Sequence, residues 1–266
     1  MLRLSQPAVT QQVQLLERAL GVRLLERVGR NVRLTSAGVE VAGACLLIMR
    51  ALENLDGVVQ AVQGLDLGSV SVGASGLAAD YYLPPILTEF MGSHASINLS
   101  VMVSDAEDVS QQVVAGEVDC GLIDGPPIPG ANLLRTRVAA TDVVIVTNSR
   151  AIQRECVDDD PFRGARYLVW GPGSETETIA ANLLGECYQH AVHLPIGSIE
   201  TARRMVLAMP GFVTAMPLVA VTDDLASGRL RQVCPRSTAL PVYAIRRQGA
   251  DGPAVEALWQ AMTRKR

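Results

Sequence analysis

From Val9 the chain places apolar residues at Val13, Leu16 and Leu20, in steps of four, three and four. That spacing is one face of an amphipathic helix. Ser5, followed by Gln6 and Pro7, opens it. Serine can cap the first amides, and proline is tolerated where an N–H would have no partner. Gly21 suits its C-terminal end, and Thr10, Gln11, Gln14 and Arg18 fall on another face. RLLERVGRNVRLTSAG then turns at Gly29 between two β-prone stretches, which predicts a small hairpin carrying Arg27, Arg30 and Arg33. Thr35 caps the next helix. Along it Val41, Cys45, Ile48, Leu52, Leu55, Val59 and Val62 alternate steps of four and three, a continuous a/d seam. The expected product is a two-stranded coiled coil, with Cys45 as a packing residue. A single helix lying on a globular body is the other reading.

Gln63 to Gly68 is polar and glycine-bounded, a linker. Beyond it the pattern switches to short β-prone runs alternating with helical ones. Val70, Val72 and Ala74 alternate, Leu83 to Met91 is helical behind Pro84 and Pro85, and Ile97 to Val103 alternates again. Ala106 to Ala115 is helical, and Cys120 to Ile123 is a short buried strand. This βαβαβ order predicts a parallel sheet. A second unit follows, with strands near Val143–Thr147, Tyr167–Trp170 and Phe212–Met216. Its helices are expected from about Thr176 to His190 and from Glu200 to Leu207. A strand at Val242–Arg246 and a helix at Pro253–Met262 complete the chain. Two α/β lobes joined by crossing strands leave a cleft. Ligands in open α/β sheets lie beyond strand carboxyl ends and at helix N-termini. Ser75-Gly76 and the loop Gly171 to Thr176 occupy such ends. Their amides and hydroxyls suit a small anion such as a carboxylate, and a plain helix cap is the competing role for each serine.

Composition narrows the classes. With 266 residues, 48% of them apolar and 19% charged, the chain can bury a substantial core and divide into more than one domain. No apolar run is long enough to span a bilayer, and the N-terminus turns polar too soon for a secretory signal. Five widely spaced cysteines without a CxxC pair point to a reduced, cytoplasmic chain. Charge is uneven. Residues 1–38 hold six arginines against two glutamates, a surplus of four positive charges, while the remaining 17 basic and 25 acidic residues leave −8. A basic head on an acidic body suggests a polyanionic partner at one end. Glutamine and threonine on the first helix can read base edges in a major groove, and the arginine hairpin can reach phosphates. GxSxG, GxxxxGK[ST] and HExxH are all missing, so no catalytic residue is assigned. Cys187, His190 and His193 step by three, but residues six apart on a helix diverge. No metal or other cofactor is expected.

The segment LSQPAVTQQVQLLERALGVRLLERVGRNVRLTSAG, Leu4 to Gly38, resembles the DNA-binding domains of LysR-type transcriptional regulators. The resemblance implies part of a winged helix-turn-helix whose recognition helix begins at Ser5. Gln6, Pro7 and Thr10 fall on DNA-facing positions, and Gln11 stands where the family often has arginine. Arg30 and Arg33 are the expected wing contacts. Family members carry two helices before this motif, so the chain reads as an N-terminally truncated member, either through a start placed too far downstream or through a real truncation. The resemblance continues through SVGASG…YYLPPILTEF, AGEVDCGLIDGPP, GPGSET and IGSIETARRMVLAMPG. It implies a two-lobed, periplasmic-binding-protein-like effector domain, with Ser75, Ser104, Ser174 and Ser198 facing the effector.

The expected organisation is therefore α/β. A partial winged helix-turn-helix spans residues 1–38 and a coiled-coil linker and dimerisation helix 39–65. An effector domain spans 66–266, with lobe I at about 66–142 and 246–266 and lobe II at about 143–245. The expected partners are double-stranded DNA, a small effector, and a second copy through residues 39–64. A homotetramer is a further implication of the family, and no membrane is involved. Two other readings share parts of this pattern: a truncated effector-binding dimer without effective DNA binding, and a solute-binding protein. The basic head and the absence of a signal sequence oppose the second.

Overall fold

In the computed structural model the described residues are 6–29, 31–45, 48, 49, 52, 68–129, 132–150, 166–249 and 252–264. Ser5, Arg30 and the seam positions Leu55, Val59 and Val62 lie outside them.

The head follows its pattern closely. Helix α1 runs Gln6–Leu20 and ends at Gly21, whose φ of 72° is the left-handed conformation that glycine adopts without a Cβ penalty. Strands β1 (Leu25–Val28) and β2 (Asn31–Leu34) pair antiparallel around Gly29. Glu17 fastens the hairpin to the helix: its Oε1 accepts the amides of Leu24 at 2.7 Å and Leu25 at 3.1 Å. Those two bonds hold its carboxyl below the usual glutamate range. Thr35 caps helix α2 (36–45), accepting the Gly38 amide at 3.0 Å while its hydroxyl donates to the Arg23 carbonyl at 2.7 Å. Gly38 is required there, because a Cβ would lie 2.1 Å from the Leu24 carbonyl oxygen. Of the seam, Val41 is half-buried. Cys45, Ile48 and Leu52 are exposed within the single chain.

The body is built on one nine-stranded sheet in the order β4-β3-β5-β11-β6-β9-β7-β8, with β10 also paired to β6. Strand β3 (Gly68–Ala74) lies parallel to β4 (Ile97–Val103) and to β5 (Cys120–Asp124), as the βαβαβ pattern requires. The crossovers carry α3 (Leu83–Ser93) and α4 (Ala106–Ala115). A single turn of π-helix, Ala78–Tyr82, leads into α3 ahead of the prolines that start it. The second lobe pairs β7 (Arg166–Val169) parallel with β8 (Val192–Pro195) and β9 (Phe212–Pro217). It carries α5 (Glu175–Leu184), α6 (Glu186–His190), α7 (Ile199–Ala208) and α8 (Leu218–Ala226). Strand β10 is Leu230–Gln232, and α9 (Pro253–Thr263) packs back on the first lobe.

Two long strands join the lobes. β6 runs Leu133–Asn148 and β11 runs Thr238–Arg247, and they pair antiparallel along most of their length. β11 also pairs antiparallel with β5, and β6 with β9 and β10, so the sheet is mixed and not wholly parallel. The expected single helix Thr176–His190 is likewise corrected. It breaks at Gly185, whose φ of 58° and ψ of −128° cannot continue a helix. Each lobe has its own core. Phe90, Leu122, Leu258 and Met262 fill the first, and Ile145, Leu168, Met216 and Val221 the second.

Candidate functional site

A cavity of about 770 Å³ opens between the lobes, within the usual range for a small-molecule site. Its first-lobe wall is the carboxyl ends of β3 and β5. Ser75 follows β3 and is buried. Its hydroxyl donates to Asp124 Oδ1 and accepts the Asp124 amide at 3.1 Å, while its own amide donates to Leu122. Asp124 is 8% exposed. Burial pushes its carboxyl above the usual aspartate range, against the Ser75 hydrogen bond that pulls it down, and the Asp105 charge adds to the rise. Pro126, Pro127 and Pro129 stiffen the loop that continues this wall.

The second-lobe wall is the loop from Trp170 to Ser174 and the start of α7. Trp170 is fixed by its indole N–H, which donates to the Ala215 carbonyl at 2.7 Å. Ser174 caps α5 by accepting the Glu177 amide at 3.3 Å, and the Glu177 carboxylate accepts the amide of Gly173, the residue before the cap, at 2.5 Å. Ser198 caps α7 in the same way through Thr201. The lobes meet at Gly125. A Cβ there would lie 2.9 Å from the Glu175 Cβ, so this glycine admits Glu175 of the second lobe against the end of β5.

Three of the four expected serines, Ser75, Ser174 and Ser198, therefore line one cavity, and two of these are also helix caps. Ser104 is not among the lining residues, and its hydroxyl faces Gln112 at 3.4 Å. The walls also carry charge. Asp80, Asp105, Glu107, Asp108, Asp124 and Glu175 line the cavity, with no lysine or arginine among the described lining residues, and helices α4, α5 and α7 start on it. Asp124 and Trp170 were not singled out from sequence. The Asp-Gly-Pro-Pro ending of a wholly apolar strand was the available signal for the first.

In the head, Gln6, Pro7, Thr10 and Gln11 are exposed along α1, and Arg33 is exposed on the hairpin. The Thr10 hydroxyl donates back to the Gln6 carbonyl at 3.0 Å. The register pairs Glu26 with Arg33 and Arg27 with Val32. Cross-strand partners share a face and neighbours alternate, so Arg27 and Arg33 decorate opposite faces of the hairpin.

A helix followed by a basic hairpin, in one chain with a two-lobed α/β body that encloses an interlobe cavity, is the arrangement of a DNA-binding regulator with a ligand-sized site. Comparison with known proteins agrees. Residues 1–39 match the bacterial regulatory helix-turn-helix protein, lysR family, and residues 63–266 match the LysR substrate binding domain. The chain belongs to the LysR family of transcriptional regulators. The HTH-type transcriptional regulator CbbR of Rhodospirillum rubrum is 27% identical over 97% of this chain and 86% of its own length. CbbR of Xanthobacter flavus is 30% identical over 86% of this chain and 69% of its own. In fold, ArgP from Mycobacterium tuberculosis superimposes with a TM-score of 0.74 at 16% identity, covering 98% of this chain and 88% of that one. CbnR gives 0.66 at 20%, covering 99% and 90%. No helix among the described residues is long and apolar enough to cross a membrane.

Proposed function

We propose that this regulator is a cytoplasmic, non-enzymatic homodimer that grips double-stranded DNA with two copies of the head and changes its grip when a small molecule enters the interlobe cavity. The head spans 1–38, the dimerisation helix 39–65 and the effector body 66–266. Ser5, Gln6, Pro7, Thr10 and Gln11 face the groove, and Arg30 and Arg33 take phosphates. Ser75, Ser174 and Ser198 face the effector, and Ser104 acts through Gln112 behind the wall. Dimerisation through residues 39–64 spaces two recognition helices for a two-fold operator, and pairs of dimers extend it. The exposure of Ile48 and Leu52 supports the seam, since 61% and 54% exposed apolar side chains at helical spacing call for a covering surface.

The observation that carries the reading is a single chain with a LysR helix-turn-helix at one end and a cavity shared by two lobes at the other. Because that cavity is lined from both lobes, a ligand that touches both favours one lobe spacing over another, and it shifts the equilibrium by its differential affinity. The change passes to the dimer and so to the spacing and bend of the DNA. Fluorescence anisotropy of the purified chain on fragments of its own promoter region, at low salt, tests this. Affinity well above that for an unrelated fragment supports the reading. Equal affinity for both ends it.

A further inference from the structure

We infer that the effector is an organic cation, held by an amine or guanidinium group between Asp124 and Glu175 and against the ring of Trp170. The inference rests on the cavity being the effector site, and it fixes the chemistry of what that site accepts.

Three observations converge on it. First, Asp124 is a carboxylate more than nine-tenths buried on the cavity wall. Its Oδ1 is held by Ser75, and its Oδ2 has no hydrogen-bond partner among the described residues. A buried carboxylate is costly unless a donor or an opposite charge completes it. Second, Glu175 is brought to the same place from the other lobe, its stem packed on Gly125, the residue after Asp124. The two carboxylates line one cavity, one from each lobe, and a cation held between them interacts favourably with both. Third, Trp170 lines the same wall and cannot swing away, because its indole nitrogen is bonded to Ala215. A fixed indole beside carboxylates is a favourable surface for an ammonium or guanidinium group.

An anion has less to recommend it. Helices α4, α5 and α7 begin on the cavity, and their positive ends could bind one. Each already carries carboxylate in its first turn: Glu107 and Asp108 on α4, Glu175 and Glu177 on α5, and Glu200 on α7. Those charges offset the helix ends from within the chain.

The experiment is a thermal-shift and calorimetric panel on the full chain. Agmatine, cadaverine and L-arginine are the cations, and citrate and a hexose phosphate the anions. At least one cation should raise the melting temperature, and neither anion should. Glu175→Gln and, separately, Asp124→Asn should each weaken the cation about tenfold, the scale of one lost charge-assisted contact. Both replacements are near-isosteric, and an unchanged apo melting profile for Glu175→Gln shows that the lobe still folds. No shift with any cation, or an anion shift that survives in Glu175→Gln, overturns the inference. Promoter binding measured on the same preparations separates the two claims. DNA binding retained alongside either overturning result leaves the regulator standing and removes only the cation, whereas lost DNA binding strikes the regulator itself.

Discussion

The head and the body obey the same sequence rules and end in opposite physical states. Among described residues 6–45, Leu24 is the one buried large apolar side chain, and the helical stripe of α1 stays open, with Val9 at 41%, Leu16 at 40% and Leu20 at 47% exposed. In the body, equally regular patterns close into two cores whose central side chains, such as Phe90, Leu122 and Leu168, are almost fully covered. Periodicity tells which face of an element is apolar. It does not tell what covers that face. The body supplies its own cover from residues far apart in sequence. The head is held by local devices: Glu17 on two hairpin amides, Thr35 on a helix start, and Gly38 against Leu24.

The sharpest way to break this contrast is to cut one apolar side chain in each region. Phe90→Ala should cost about 3–5 kcal/mol of global stability in urea unfolding, because a large buried ring leaves a cavity. Leu16→Ala should change the same transition by under about 1 kcal/mol, since little is buried there. Comparable losses would show that the head is covered in solution as fully as the body.

A slightly smaller effect is expected at Asp224. It is wholly buried and paired with Arg203 at 2.7 Å and Arg229 at 2.5 Å, tying α7 and α8 together. Asp224→Ala takes a carboxylate from Arg229 and leaves Arg203 with Glu200 alone, and should cost about 3 kcal/mol, measured by the same unfolding transition. The head offers a different readout. Arg33→Ala should leave the melting temperature unchanged while weakening DNA binding on every sequence and reducing the slope of log affinity against log salt by about one. A loss confined to one operator sequence would make Arg33 a base reader instead of a phosphate contact.

The parts legible in the sequence were those decided locally. Helix α4 has its expected bounds, and Gly116, at φ 73°, ends it. Helix α1, the hairpin and the Thr35 cap were equally plain. The first half of β6 was not read as strand, since Leu133 to Ala140 is half-buried or exposed and mixes arginine, threonine and alanine, so no alternation marks it. Its strand character comes from β11, a hundred residues later. The site divided in the same manner. Serines at strand ends and helix starts could be named from spacing. Asp124, Trp170 and the meeting of Gly125 with Glu175 form a site only because two lobes face each other, and no local spacing marks them.

The finest distinction between head and body is electrostatic, and Asp124 tests it. In the folded body burial raises its carboxyl above the value it has in the unfolded chain. The folded state therefore keeps this proton to a higher pH than the unfolded state does. Between the ordinary aspartate range and the raised value, the folded chain binds more protons, so stability falls as pH rises through that window and is flat above it. Asparagine can still accept the Ser75 hydroxyl bond and carries no charge. Asp124→Asn should thus match the parent near pH 4 and melt higher at neutral pH, with the gap opening as pH climbs. Glu17 in the head runs the other way: its carboxyl is lowered by two backbone amides, so whatever it contributes is kept at neutral pH and lost on acidification. An Asp124→Asn variant less stable than the parent at neutral pH would show that the carboxylate is already compensated in the free protein. That result would remove the physical reason for expecting a cation to complete it.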